Sequence, residues 1–199
     1  MKILAFSDLH GDRQAARLIV EAGESADVVI GAGDFATRGE GALDTLEILR
    51  DCANPVVLVH GNHDVPSEIA LYCQDWEQGH YLHGSSVSIE GQPFFGLGGE
   101  IPLRGSNFWN VTETESKAAE LLENCPQNAI LITHTPPLGV ADLQKNGEHE
   151  GSAAIRAAIT NHEPKLLLCG HIHNAWGMQG RVGATGIHNL GPTINWFDM

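Results

Sequence analysis

Apolar residues in this chain follow two alternating rhythms. Short runs rich in Val, Ile and Leu, bounded by Gly, Pro, Asn or Asp, recur at residues 2–6, 28–30, 56–59, 129–133 and 166–169. Each reads as a strand buried on both faces. Between the runs the spacing changes to the helical period. Residues 12–24 place Ala15, Leu18, Ile19 and Ala22 on one face, and Leu43, Leu46, Ile48 and Leu49 mark a second helix ahead of Pro55. Further helices are expected over 66–76, 112–124 and 152–160, the one at 112 opening with a Thr112-x-x-Glu115 capping box. Hairpins are expected where 87–90 and 93–97 flank Gly91-Gln92, and where 175–178 and 182–184 flank Gln179-Gly180. Such alternation predicts an α/β protein with two sheets covered by helices. With no repeat or break in composition, residues 1–199 are expected to form one domain, and the irregular stretch 98–110 is long enough to be functional.

Charge narrows the partners. Eleven Lys and Arg stand against 25 Asp and Glu, a net charge of −14. Such a surface repels the phosphate backbone of long nucleic acids and anionic lipid headgroups, which argues against both as partners. No apolar run is long enough to span a membrane, and the opening apolar residues meet Ser7-Asp8 too early for a signal peptide. Cys52, Cys73, Cys125 and Cys169 are scattered with no Cys-x-x-Cys, so they read as reduced, small apolar residues and a cytoplasmic location is expected. The 11 histidines equal Lys and Arg combined, which makes imidazole the place to look for chemistry.

There is no Gly-x-Ser-x-Gly elbow, no Walker loop and no G-x-G-x-x-G. Instead, ligand-type side chains follow the strand candidates in order. Asp8 and His10 come after the first run, where extended backbone two residues apart would aim both at one ion. Asp34 follows the second in Gly31-Ala32-Gly33-Asp34, and Gly61-Asn62-His63-Asp64 follows the third. His134 ends the fourth, and Gly170-His171-Ile172-His173 follows the last. Each piece alone is an ordinary polar turn. Together they put carboxylates, an amide oxygen and imidazoles at the carboxyl ends of five strands, where open α/β sheets bind ligands. That donor set suits Mn²⁺, Fe²⁺ or Zn²⁺, and seven ligands are too many for one ion but right for two sharing a carboxylate.

Asp-x-His, Gly-Asp, Gly-Asn-His-Asp, His and Gly-His-x-His, in that order from Asp8 to His173, resemble the calcineurin-like metallophosphoesterase superfamily. The resemblance implies a four-layer αββα sandwich of two mixed sheets and a dinuclear centre. One ion would take Asp8, His10, Asp34 and His173; the other would take Asp34, Asn62, His134 and His171, with Asp34 bridging. Thr133-His134-Thr135-Pro136-Pro137-Leu138-Gly139 with Asp142, and Pro164-Lys165-Leu166 before Gly-His-Ile-His, are similar to the small metallophosphoesterase-domain phosphodiesterases. Members of that branch hydrolyse phosphodiesters, cyclic nucleotides among them. Asp34-Phe35-Ala36-Thr37-Arg38-Gly39 is a fainter echo of the phosphoprotein phosphatases.

Two divalent ions, two carboxylates and a bridging hydroxide leave a core of about +1, which attracts a small phosphoester despite the acidic surface. His63, adjacent to Asn62 and spare as a ligand, is the candidate general acid, with Asp64 expected to hold its tautomer. Arg38, Arg104, Phe108 and Trp109 are candidate substrate contacts, the aromatics by stacking on a base. Hydrolysis of a nucleotide-like diester is the leading expectation. A monoesterase or protein phosphatase on the same site, or a non-catalytic metal-binding scaffold, are the alternatives. His60 reads as buried and hydrogen-bonded; His80, His83, His149 and His162 read as solvated, and His188-Asn189 as a turn.

Overall fold

A computed structural model describes residues 1–105 and 107–199. In chain order the elements are β1 (Lys2–Phe6), α1 (Arg13–Gly23), β2 (Val28–Ala32), α2 (Ala42–Leu49), β3 (Val56–Val59), α3 (Pro66–Gln74), β4 (Gly79–Tyr81) and β5 (Ser85–Ile89). They continue as β6 (Gln92–Leu97), α4 (Glu115–Leu122), β7 (Ile130–Thr133), α5 (Ala153–His162), β8 (Leu166–Cys169), β9 (Gln179–Val182), β10 (Thr185–Asn189) and β11 (Asn195–Asp198). One sheet runs β11-β1-β2-β3-β4 and the other β5-β6-β7-β8-β10-β9. Both are mixed: the inner strands pair in parallel, while β11, β5 and β9 join antiparallel.

Strand alternation builds three apolar layers. From the first sheet Ile3, Ala5, Ile30, Val57 and Val59 point inward against Phe94, Ile130, Ile132 and Leu168 of the second. The intervening residues point outward: Leu4, Phe6, Val29 and Leu58 meet Ile19, Leu46, Leu49 and Ile69 of α1–α3. Phe95, Leu131 and Leu167 meet Ala118, Leu122, Ile155 and Ile159 of α4 and α5. A strand buried on both faces has no polar side to show, which is why these runs are continuously apolar. The αββα sandwich with two mixed sheets is therefore the fold.

Several local expectations need correction. The buried face of α1 is Ala16, Ile19 and Gly23, one step round from the expected stripe, and Leu18 is exposed. Thr112 does not open α4; Thr114 caps it by accepting the Lys117 amide. Glu115 instead reaches α5, where its carboxylate accepts from Ser152 Oγ and the Ala153 and Ala154 amides at 2.8–2.9 Å. An anion there satisfies free helix N–H groups of a neighbour rather than its own. The second hairpin turns at Gly183-Ala184, not Gln179-Gly180, because β9 and β10 pair with Thr185 opposite Val182. Short β4 and the edge strand β11 carried no apolar run to announce them. Among the described residues all four cysteines are free thiols, and no helix is long and apolar enough to cross a membrane.

Candidate metal centre

The parallel strands β1, β2, β3, β7 and β8 all end on the same side, and the polar side chains begin where each ladder stops. The turns after β1 and β2 remain tied beyond the sheet: Asp8, His10 and Gly11 donate their amides to the carbonyls of Gly33, Asp34 and Phe35 at 2.8–2.9 Å. Asp8, His10, Asp34 and His171 all sit in the left-handed region, with φ of +55°, +47°, +58° and +67°. Non-glycine residues there cost about 1–3 kcal/mol each and persist where the surroundings hold them. This corrects the expected mechanism of convergence. Asp8 and His10 face one point because left-handed kinks turn them, not because extended backbone repeats every two residues. His173 likewise stands on a short 3-10 turn, His173–Ala175. Close approach is allowed by glycines: a Cβ on Gly33 would meet the Gly61 backbone and His134 Nδ1, and one on Gly61 would run into Asp34.

The seven expected ligands come together around Asp34. His10 Nε2 and His134 Nε2 each lie 3.5 Å from Asp34 Oδ2. His10 Nε2 is 3.3 Å from His173 Nε2, which is 3.7 Å from Asp8 Oδ1. Asn62 Oδ1 is 3.1 Å from His134 Nε2 and 3.0 Å from His171 Nδ1. Outer hydrogen bonds decide which atoms point inward. His10 Nδ1 meets the Ala36 carbonyl at 3.1 Å and His134 Nδ1 meets that of Ala32 at 2.8 Å. A carbonyl accepts only, so each Nδ1 carries the proton and each Nε2 is free to bind. Ser7 Oγ and Trp176 Nε1 donate to Asp8 Oδ2, leaving Oδ1 toward His173.

These distances fit metal coordination. Donors 2.0–2.2 Å from one ion stand about 3.0–3.5 Å apart, depending on the angle between them. Nitrogen and oxygen lone pairs converging this closely repel unless a cation or a proton stands between them. Beside Asp34 the protons of a charged His134 fill that need. Burial alone would discourage charge on His134, but the neighbouring carboxylate of Asp34 raises its imidazole to about 10. Burial would raise Asp34 itself, yet the charge and hydrogen bond of His134 hold its carboxyl well below the usual range. A divalent ion would replace those protons, so the residues present fit a divalent metal. Asp8, His10 and His173 form one ligand cluster, and Asp8, Asp34 and His134 another.

His63 and Asp64 do not form the expected pair. The buried Asp64 carboxylate accepts the amides of Asp34 at 2.9 Å, Ala36 at 2.8 Å and Gly61 at 2.7 Å. It ties two strand-end turns together, and its acceptors are spent on backbone. Burial and the charge of Asp34 push its carboxyl up to about 7, against the Gly61 and Ala36 amides that favour the anion. The group that sets the His63 tautomer is the Arg38 amide, which donates to Nδ1 at 3.0 Å and so leaves the proton on Nε2. The ring is wedged between His10 and Trp109, with centroids 4.8 and 4.5 Å away. Asp64→Asn is therefore expected to destabilise the fold by about 2–3 kcal/mol, since an amide nitrogen must face one of three N–H donors. Urea denaturation of the metal-free protein measures this; unchanged stability would restore Asp64 to a purely catalytic role.

Asp34, Asn62, His63, His171 and His173 open into a cleft of about 330 Å³ that also includes Gln144 and Asn174. A larger hollow of about 420 Å³ between α3, β4 and β5 holds none of them. Trp109 lies against His63 with the Arg38 guanidinium 5.9 Å from its ring centre. Phe108 is 99% exposed, and Arg104 pairs with Glu150 at 3.4 Å. The structure thus brings Trp109 and Arg38 beside the cleft and leaves Phe108 free in solvent.

Sequence reading missed Gln144, Asn174, Glu100, Asn110, Ser7 and Trp176. Two of these, Glu100 and Asn110, lie on the 98–110 stretch whose length was the available signal. Of the other histidines, His60 is buried, with Nδ1 2.8 Å from Tyr81 Oη, as expected. His83 is not simply solvated: its Nδ1 accepts the Gly98 amide and its ring lies 4.8 Å from His60. His149 is half exposed, but Nδ1 is bound to buried Asp142 at 2.6 Å. His188 and Asn189 belong to β10 rather than to a turn.

Comparison with known proteins supplies the context. The profile of the calcineurin-like phosphoesterase family matches residues 1–175. The UPF0046 protein K07C11.7 of Caenorhabditis elegans is 30% identical over 94% of this chain and 69% of its own length. Human metallophosphoesterase domain-containing protein 1 is 29% identical over 58% of this chain, but that match spans only 36% of the human protein. Among solved structures, TT1561 of Thermus thermophilus superposes with a TM-score of 0.73 at 21% identity, covering 99% of this chain and 98% of that one. Phosphopantetheinyl hydrolase from Mycobacterium tuberculosis gives 0.63 at 15% identity, over 96% and 90%. At those identities the structural likeness speaks for the fold alone.

Proposed function

Because the chain belongs to the calcineurin-like phosphoesterase family, and so to the metal-dependent phosphoesterases, we propose that it hydrolyses a small, nucleotide-like phosphodiester on a pair of divalent ions. Asp8, His10, Asp34 and His173 would hold one ion, and Asp34, Asn62, His134 and His171 the other. When bound, such ions supply the charge that draws a phosphoryl group and the Lewis acidity that activates water at neutral pH. The observation that carries this reading is the placement of two imidazole nitrogens from opposite sheets at 3.5 Å from one oxygen of Asp34. A single carboxylate oxygen shared in this way is what a bridged pair needs.

The remaining roles belong to side chains around the cleft. His63 lines it and presents an Nε2–H, so it is placed to donate to the leaving oxygen. Outright transfer of that proton calls for a doubly protonated ring, so the Arg38 amide must then leave Nδ1. Burial, which lowers the His63 imidazole from its ordinary value, favours the neutral donor. Gln144 is held between Glu150, to which its Nε2 donates at 2.7 Å, and Asn174, whose Nδ2 donates to its Oε1 at 2.6 Å. Asn174 Oδ1 is therefore the amide atom that faces an uncharged donor of the substrate, and Trp109 offers its ring beside His63.

Charge separates diester from monoester. Among the described residues lining the cleft there is no Lys or Arg; Arg104 is engaged by Glu150, and Arg38 lies beside the cleft over the Trp109 ring, at 5.9 Å, rather than in its lining. A monoester dianion gains most from such cations, whereas a diester carries one charge and asks less. With saturating Mn²⁺, bis(p-nitrophenyl) phosphate is expected to exceed p-nitrophenyl phosphate in kcat/KM by roughly tenfold, a difference of about 1.4 kcal/mol in barrier. Preference for the monoester would shift the reading to a phosphatase. No turnover of either ester after Mn²⁺, Fe²⁺ or Zn²⁺ is restored would leave the non-catalytic scaffold.

A further inference from the structure

Asn62 and His171 follow strands of different sheets, yet both lean on the segment between β6 and α4. Asn62 Nδ2 donates to Asn110 Oδ1 at 2.7 Å. Asn110 Nδ2 in turn donates to Glu100 Oε2 at 2.5 Å and to the Arg104 carbonyl at 3.0 Å. The other oxygen, Glu100 Oε1, lies 3.7 Å from His171 Nε2. Glu100 is 8% exposed. Backbone bonds pin the segment beneath these contacts, with Val111 N–H on the Asn62 carbonyl and Glu100 N–H on the Val111 carbonyl, at 2.9 and 3.0 Å.

Two groups that only accept, the Glu100 carboxylate and the Arg104 carbonyl, set the direction of the bonds in this chain, and Glu100 alone reaches both Asn110 and His171. A carboxylate only accepts. Glu100 therefore demands the amide nitrogen of Asn110, which turns Asn110 Oδ1 to Asn62. That oxygen also only accepts, so it takes Asn62 Nδ2 and leaves Asn62 Oδ1 facing the cluster. At its other end Glu100 favours a proton on His171 Nε2, which leaves the Nδ1 lone pair facing Asn62 Oδ1 at 3.0 Å. Without such a partner a carboxamide can present either end, and an imidazole either nitrogen. The two remaining ligands of this half, Asp34 and His134, take their orientation elsewhere, from the His63 amide at 2.8 Å and from the Ala32 carbonyl.

We propose that Glu100, acting through Asn110, is the positioning residue that turns Asn62 Oδ1 and His171 Nδ1 together toward one of the two ions, so that this segment controls the affinity of that ion and not of its neighbour. The inference rests on the two-ion reading above, but not on any substrate. Outer-shell partners of metal ligands typically cost 10–100-fold in metal affinity when removed. Mn²⁺ alone is titrated calorimetrically into chelator-treated protein, wild type beside Glu100→Ala, Glu100→Gln and Asn110→Ala.

Two Mn²⁺ ions are expected in the wild type. In Glu100→Ala and Asn110→Ala one of them is expected to bind about 10–100-fold more weakly, with the other unchanged. Glu100→Gln retains one acceptor for the two donors it must serve, so its loss should be smaller; it decides the matter if the alanine variant does not fold. Equal weakening of both ions, or wild-type affinity in Glu100→Gln together with either alanine variant, overturns the positioning role. A wild-type chain that takes only one ion overturns the two-ion reading instead. Absence of diesterase activity with these titrations as expected overturns the proposed substrate and leaves this inference standing.

Discussion

Asp34→Asn is expected to lose both ions together. The carboxylate presents Oδ1 to the His63 amide and Oδ2 to the two imidazoles, so the asparagine has one sensible orientation. Its oxygen accepts the His63 N–H, and its nitrogen takes the place of Oδ2. An amide nitrogen has no lone pair to give an ion, and the only protein atom assigned to both sites is gone. Affinity for each ion should fall by about 10²-fold or more, beyond the usual range for an outer-shell change. Wild-type protein at roughly a thousandfold excess of metal over Kd gains about 4 kcal/mol of stability by mass action for one ion, and a variant about 10²-fold weaker should forfeit about 2.7 kcal/mol of it. Metal analysis after dialysis and thermal melts with and without Mn²⁺ measure both effects. His10→Ala, by contrast, should weaken one ion. Full occupancy by two ions in Asp34→Asn would dismiss the bridge.

His63→Ala is expected to separate substrates by their leaving groups. The change leaves all seven proposed ligands in place, so both ions should remain. Positioned proton donation is typically worth ~10²–10⁴-fold, and an alkyl ester with a poor leaving oxygen should lose about that much in kcat. A p-nitrophenyl ester leaves as a stable anion and should lose far less. A residue that only orients substrate would cost both esters alike, so equal losses at unchanged metal content would remove His63 from the donor role. The Arg38 amide at Nδ1 adds a refinement. If His63 stays a neutral donor, the dependence on leaving group should lie toward the shallow end of that range.

What the sequence determined follows from short-range rules. A strand buried on both faces must be largely apolar, so the five central strands could be located directly, although β2 runs on through Gly31-Ala32 and β7 takes in the buried Thr133. The ligand types could be read for the same reason. Carboxylate, carboxamide and imidazole at five strand ends place seven donors at one edge of the sheets, whatever their rotamers, and the fold brings all seven together. Edge strand β11 escaped notice because an edge exposes one face and breaks the apolar run.

Tertiary structure alone decided how each donor is aimed. Asp8 and His10 converge through left-handed kinks that the 33–35 turn enforces by hydrogen bonds, which no local pattern reports. The dipeptide His63-Asp64 suggested a catalytic pair, yet Asp64 spends its oxygens on the amides of Asp34, Ala36 and Gly61, while His63 answers to Arg38. Asn110 orients Asn62 from 48 residues away, and Asp8 meets the His171 amide across 163. A hydrogen bond depends on an atom's position and direction in space, to within a few tenths of an ångström. Sequence records neither for partners so distant. It determines which side chains reach the site, and packing determines which atom each one presents.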